Sequence, residues 1–216
     1  MQQVEPLHQN FDKLQIQYGE PTLSSIYGTG EINSPNIMFI FMNPTGRNIS
    51  SNPQWKGLRA PWLGTKQIWD IFYSLGLLEN NLYEDIRLKK TSDWDELFAE
   101  SIYDDIQRHS VYITNLAKCT QIDARPLNNH IFKDYLDLMY KEIQYIKPKK
   151  IVSFGNQVSS ILLNKNISVS NFKNDEKEIL KLDTDYYVYP TYYPVGQGRR
   201  NMPLAIERIK NIIKIY

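Results

Sequence analysis

Asn36-Ile-Met-Phe-Ile-Phe-Met-Asn-Pro-Thr-Gly46 is the stretch that decides the fold class. Its apolar part, Ile37 to Met42, is short and continuous. A surface helix would show polar residues every third or fourth position, and a half-exposed strand would alternate. A strand covered on both faces shows neither, and such a strand needs helices on each side of its sheet. Asn43-Pro44-Thr45-Gly46 then closes the strand, because Pro44 has no N–H to give a ladder and Gly46 suits a turn.

The segments around this strand alternate in type. Lys66 to Leu75 has Ile68, Trp69, Ile71, Phe72 and Leu75 at helical spacing, with Thr65 placed to cap it and Gly76 to end it. This periodicity puts Trp69 in the core. Asp93 to Asp105, Asn129 to Lys147 and Pro203 to Lys214 read as amphipathic helices, and a further helix runs from Gly155-Asn156 to Leu163. Ser110 to Asn115, Lys149 to Phe154 and Tyr186 to Pro190 read as strands; residues 164–185 carry no clear period. Strands separated by helices predict a three-layer α/β/α sandwich around a central, mostly parallel four-stranded sheet. One domain covers residues 1–216, with residues 1–30 as an N-terminal helical extension. Ligands in such folds bind beyond the carboxyl ends of the strands. Three of those ends carry polar loops here: Asn43-Pro44, Asn115 and Tyr193-Pro194.

The totals narrow the chemistry. A net charge of +1 over 216 residues does not advertise a polyanion partner, so any nucleic-acid contact must come from a local basic patch. Cys119 is the only cysteine, which excludes an internal disulfide and a four-cysteine metal or iron–sulfur site. His8, His109 and His130 have no metal-ligand spacing, and with Cys119 they are taken as structural. No metal or cofactor is expected. The polar start and the lack of a long apolar run predict a cytoplasmic protein without membrane association, taken here as a monomer.

Five segments, in order, resemble the uracil-DNA glycosylase superfamily. Ile40-Phe-Met-Asn-Pro-Thr-Gly46 is similar to its water-activating motif, nearest the Asn-Pro-Gly form of the mismatch-specific and single-strand-selective types. Gly57-Leu-Arg-Ala-Pro-Trp-Leu-Gly64 resembles the Gly-x-Pro-Phe segment, and the helix from Lys66 continues the match. Val111-Tyr-Ile-Thr-Asn-Leu-Ala-Lys-Cys119 resembles the strand end that supplies a base-reading asparagine, and Pro148 to Asn156 the next strand and turn. Tyr193-Pro-Val-Gly-Gln-Gly-Arg-Arg200 occupies the place of the His-Pro-Ser motif on the DNA-intercalating loop. The sequence departs from the pattern twice: Thr45 stands where glycine is usual, and Tyr193 where the motif has histidine.

The resemblance implies an enzyme that flips uracil or another deaminated base out of DNA and hydrolyses its N-glycosidic bond. The transition state is oxocarbenium-like, so water needs placement more than a strong base. Asn43 is the expected water-positioning group, since an amide can accept a hydrogen bond from water but cannot take its proton at neutral pH. Pro44, Thr45 and the backbone N–H groups through Arg47 are expected against the base or a phosphate. Trp62, directly after Pro61 in a loop, is expected to stack on the base; such stacking is worth roughly 1–3 kcal/mol. Asn115 can give one hydrogen bond and accept one, which matches O4 and N3–H of uracil. Tyr193 can donate to O2 as negative charge develops there. Gln197, Arg199, Arg200 and Lys118 are expected to touch DNA, the arginines through phosphates and Gln197 as a wedge. Two other readings stay open. A non-catalytic binder of uracil-containing or damaged DNA would suit Tyr193 in the histidine place and the low net charge. An unrelated α/β enzyme binding a nucleotide lacks a glycine-rich phosphate loop in its favour.

Overall fold

The apolar run forms a strand, β2 (Ile37–Phe41), and all of its residues are buried. The computed structural model describes residues 5–125 and 127–214. It places β2 between two parallel neighbours, β3 (Val111–Asn115) and β4 (Ile151–Phe154), both buried throughout. β6 (Asp185–Thr191) runs parallel beside β4. Antiparallel strands finish both edges: β1 (Thr29–Gly30) on β3, and β5 (Glu178–Lys181) on β6. The sheet order is β1-β3-β2-β4-β6-β5. The four strands expected from sequence are therefore the parallel centre of a six-stranded sheet. The two missed strands are edges, one only two residues long and the other largely turned to solvent, so neither carries an apolar run.

Seven helices are described: α1 (Glu5–Tyr18), α2 (Gln67–Ser74), α3 (Asn80–Leu88), α4 (Glu96–Arg108), α5 (Asn129–Ile146), α6 (Asn156–Leu163) and α7 (Met202–Ile213). Strand alternation sorts them into two layers. Met38, Ile40 and Tyr112 face α1, α5 and α6. Ile37, Phe39, Phe41 and Ile113 face α2, α3, α4 and α7. Each fully buried apolar side chain in these layers contributes roughly 1.5–3 kcal/mol. Trp69 is fully buried in the second layer, as its periodicity predicts. Helix ends are set locally. Asp95 caps α4 by accepting from Phe98 N–H at 2.8 Å. Thr65 does not cap α2: its hydroxyl donates back to the Trp62 carbonyl at 2.7 Å, and Lys66 takes the N-cap place without a side-chain bond.

The connection from β2 to β3 passes through α2 to α4 on one face, and that from β3 to β4 through α5 on the other. A crevice opens beyond the strand ends where connections diverge in this way. No helix among the described residues is long and apolar enough to cross a membrane.

The N-terminal helix is built into the core. Leu7 and Phe11 are buried, and the Phe11 ring lies 6.3 Å from that of Tyr135 on α5. Gln15, also buried, donates to the Glu20 and Leu23 carbonyls and accepts from Thr120 N–H at 2.7 Å. Phe11→Ala is therefore expected to cost about 3–5 kcal/mol in urea unfolding, as truncation of a core aromatic does. A loss below about 0.5 kcal/mol would mark α1 as an appendage.

Candidate active site

Pairing of β2 with β3 ends in register with Phe41 opposite Asn115. The ladder then continues into the loops. Leu116 N–H donates to the Phe41 carbonyl at 2.8 Å and Ala117 N–H to that of Met42 at 3.0 Å. Gln121 N–H reaches the Pro44 carbonyl at 3.1 Å, and Gly46 N–H reaches the Gln121 carbonyl at 2.8 Å. The two loops are thus zipped together, and Asn43 is held beside the end of β3. The Asn43 amide donates to the Pro44 carbonyl at 3.1 Å, which leaves its oxygen as the available acceptor. Asn115 is buried, and its side-chain amide makes no hydrogen bond among the described residues.

A second loop is bolted onto the first. Asn48 donates to the Ala60 carbonyl at 2.8 Å and accepts from Ser50, which the Asn-x-Ser pattern could have signalled as a local turn. Ile49 N–H meets the Leu63 carbonyl at 3.0 Å. The Tyr103 hydroxyl donates to the Pro61 carbonyl at 2.6 Å. Between these ties Trp62 has φ 66°, a left-handed conformation unfavourable for a bulky residue. Both the N–H and the hydroxyl of Thr65 hold the Trp62 carbonyl. Strain kept in place by surrounding bonds is common at binding sites. The Trp62 ring packs edge-on to Phe41 at 4.9 Å, and its buried indole N–H has no partner among the described residues.

The third loop follows β6. Tyr193 packs edge-on to Phe41 at 6.5 Å. Burial pushes the Tyr193 phenol up to about 12, so it stays a neutral donor. A Cβ at Gly198 would sit 2.1 Å from the Tyr193 carbonyl oxygen, so the loop closes on this tyrosine only with glycine there. Gln197, Arg199 and Arg200 are exposed on the short 3-10 helix that follows.

These loops surround one cavity of about 690 Å³. Asn43, Pro44, Thr45, Trp62, Asn115, Tyr193 and Gln197 all line it, brought from four separate segments. Residues 27–214 match the Uracil DNA glycosylase superfamily. The chain belongs to that superfamily. No curated protein matches it. The family accounts for a DNA substrate and for glycosylase-type hydrolysis in general.

Three of the sequence expectations are adjusted by the structure. Lys118 is wholly buried, with its ammonium 2.6 Å from the equally buried Glu142 carboxylate, so it offers no surface to a phosphate. Its charge is consumed by the core rather than by DNA. Gly46 N–H is spent on Gln121 and is unavailable to a ligand. Arg199 and Arg200 lie beside the cavity loop without lining the cavity itself. Residues missed by motif reading also line it: Arg47 and Lys66 as cations, with Gln67, Thr91 and Ala124. Thr91 opens a short 3-10 turn and Ala124 lies in a loop, and neither segment has a periodicity or motif to mark it. Among the described residues, no carboxylate or histidine lines the cavity.

Among the described residues, one grouping has ligand-type atoms close together: Glu79, Asp105 and His109, within 4.8 Å. None of them lines the cavity. Asp105 is committed to Glu79 N–H at 2.9 Å and to Arg108 at 2.7 Å, which ties α3 to α4.

The raised Tyr193 phenol has a stability consequence of definite sign. Its ordinary value is 10.0, so the unfolded chain releases this proton first. The contribution is full below about pH 10 and is lost as pH rises through about 12. Tyrosinate absorbance of the wild type minus Tyr193→Phe is expected to show this residue titrating late; a difference signal centred near the ordinary value would show the phenol to be solvated.

Proposed function

We propose that this chain is a monofunctional DNA glycosylase that takes uracil or another deaminated base into the cavity and hydrolyses its N-glycosidic bond. The observation that carries the reading is the convergence of Asn43, Trp62, Asn115 and Tyr193 on a single cavity at the carboxyl ends of the parallel strands. Its Asn-Pro motif is nearest to the form of the mismatch-specific and single-strand-selective types, with Thr45 where they have glycine.

Each group has a role that its surroundings permit. The base is extruded at a cost of a few kcal/mol, part of which Trp62 returns by stacking. Asn115 gives a hydrogen bond to O4 and accepts one from N3–H. Asn43, its N–H already bonded to Pro44, accepts from a water and holds it toward C1′. The C1′–N1 bond breaks with its electron pair leaving on the base, and the water oxygen bonds to C1′ and loses its proton to solvent. Tyr193 donates to O2 as the base becomes anionic and keeps its own proton. Arg47 and Lys66 add positive potential to a cavity that no carboxylate lines among the described residues, which favours an anionic leaving group. Arg199 and Arg200 grip the phosphates, with Gln197 filling the space the base leaves.

A second reading draws on one feature, tyrosine where the family motif has histidine: a protein that binds damaged DNA without cutting it. Base release separates the two. Wild-type protein is expected to free uracil from single- or double-stranded oligonucleotides, scored by alkaline cleavage, and Asn43→Ala to lower the rate about a hundredfold or more. Retained DNA binding with no release from uracil, hypoxanthine or xanthine substrates would leave the non-catalytic reading.

The phosphate assignment is checked separately. Removing Arg199 and Arg200 together is expected to weaken binding to all sequences alike and to reduce the log–log salt slope by roughly two. An unchanged slope would place both arginines away from DNA.

A further inference from the structure

Lys118 and Glu142 form a wholly buried ion pair, Nζ to Oε2 2.6 Å, between β3 and α5. The ammonium pairs with the Glu142 carboxylate and donates to the Thr114 hydroxyl at 2.8 Å and to the main-chain carbonyl of Asn115. The other Glu142 oxygen accepts from the hydroxyls of Tyr112 at 2.9 Å and Thr114 at 2.8 Å. Burial pushes the Lys118 ammonium down in pKa, and Glu142 pulls it back up.

The network is closed to water by backbone. Ile26 N–H donates to the Lys118 carbonyl at 3.1 Å. A Cβ at Gly28 would lie 2.2 Å from the Tyr112 hydroxyl and 2.4 Å from Glu142, so only glycine lets the chain pass this close.

Stability does not explain such a pair. Replacing a buried ion pair by apolar residues of similar volume is often neutral or favourable, and the surroundings here, Phe11, Tyr135 and Met139, are suited to apolar packing. What apolar residues cannot do is fix the direction of a carbonyl. Successive strand residues point to opposite faces. Thr114 meets the ion pair, and Asn115 lines the cavity. The Asn115 amide has no hydrogen-bond partner of its own among the described residues, so its aim depends on its backbone. That backbone is held by Lys118 through the carbonyl and by Glu142 through Thr114.

We propose that Lys118 and Glu142 are a positioning pair that acts through Asn115, setting the amide that reads the base and with it the base preference of the site. What Asn115 reads rests on the glycosylase reading; the pair's action on Asn115 does not.

Lys118→Met alone would strand a buried carboxylate and lose the fold's stability, so the test uses Lys118→Met/Glu142→Gln, which keeps volume and one acceptor oxygen for Tyr112 and Thr114. With thermal unfolding of this variant confirmed as cooperative, single-turnover uracil release is expected to fall about ten- to a hundredfold. DNA affinity is expected to stay within about twofold, because the pair touches no phosphate. Adding Asn115→Ala is expected to cost nothing further, since both changes disable one group. Unchanged release, or losses that multiply, would overturn the proposal. A second readout does not need activity: the Asn115 side-chain amide resonances, assigned by their loss in Asn115→Ala. Shifted or doubled signals in the paired variant support the proposal, and unshifted signals overturn it. A wild type that frees no base removes the glycosylase reading and leaves this second readout to decide the pair.

Discussion

The parallel register that sets Phe41 beside Asn115 governs the rest of the site. A slip by one residue would turn each side chain of a strand to the opposite face. Asn115 would then point into the α5 layer, and Thr114 into the cavity. In this register Met38 and Ile40 pack into one helix layer and Phe39 and Phe41 into the other. It is extended past the strand ends by the bonds from Leu116, Ala117 and Gln121. The position of Asn43 is therefore a consequence of core packing. Phe41 links the remaining parts, because Trp62 and Tyr193 both lean on its ring from separate loops.

A site assembled from loops needs those loops to be stiff. Most of the stiffness here comes from side chains bonding to main chain. Asn48, Ser50, Thr65, Tyr103 and Thr91 each meet a carbonyl in the segment from Ala60 to Gly64. Each such bond contributes only about 1 kcal/mol net, but leaving any one buried partner unmade costs more. The set therefore specifies one loop conformation rather than adding much stability. That is the condition under which Trp62 can be kept at positive φ, with its buried indole N–H unpaired among the described residues.

The parts that the sequence revealed are those in which one physical signal dominates. β2, β3 and β4 are apolar runs with a single reading, and α2 and α5 have clear periods. α3 went unread because only Ile86 of it is fully buried, and β5 because an edge strand has one partner and little apolar surface. At the site, Asn43, Trp62, Asn115 and Tyr193 were marked by the order of their segments. Arg47 and Lys66 were not, since an isolated cation in a loop looks the same whether it faces a cavity or open solvent. Lys118 was misread for the opposite reason. A lysine one residue before Cys119 and near a strand end resembles a surface charge, and only the folded partner, Glu142 on α5, shows it to be internal. Side chains whose neighbours are distant in sequence cannot be placed by local pattern.

The charge pattern that results has a chemical meaning. Among the described residues, the cavity is lined by amides, hydroxyls, aromatic rings and two cations, with no carboxylate or histidine. Such a site has no group able to take a proton from water near neutrality, and it would serve poorly for chemistry that begins with a strong nucleophile. It suits a reaction in which the electrophile is already reactive and the leaving group is an anion. Cleavage of an N-glycosidic bond through an oxocarbenium-like state is such a reaction. A phenol in the histidine position is consistent with this economy, because a neutral donor stabilises a developing anion without having to titrate. Packing against Phe41 desolvates the Tyr193 phenol and raises its pKa, and the same desolvation would strengthen any hydrogen bond that the phenol gives.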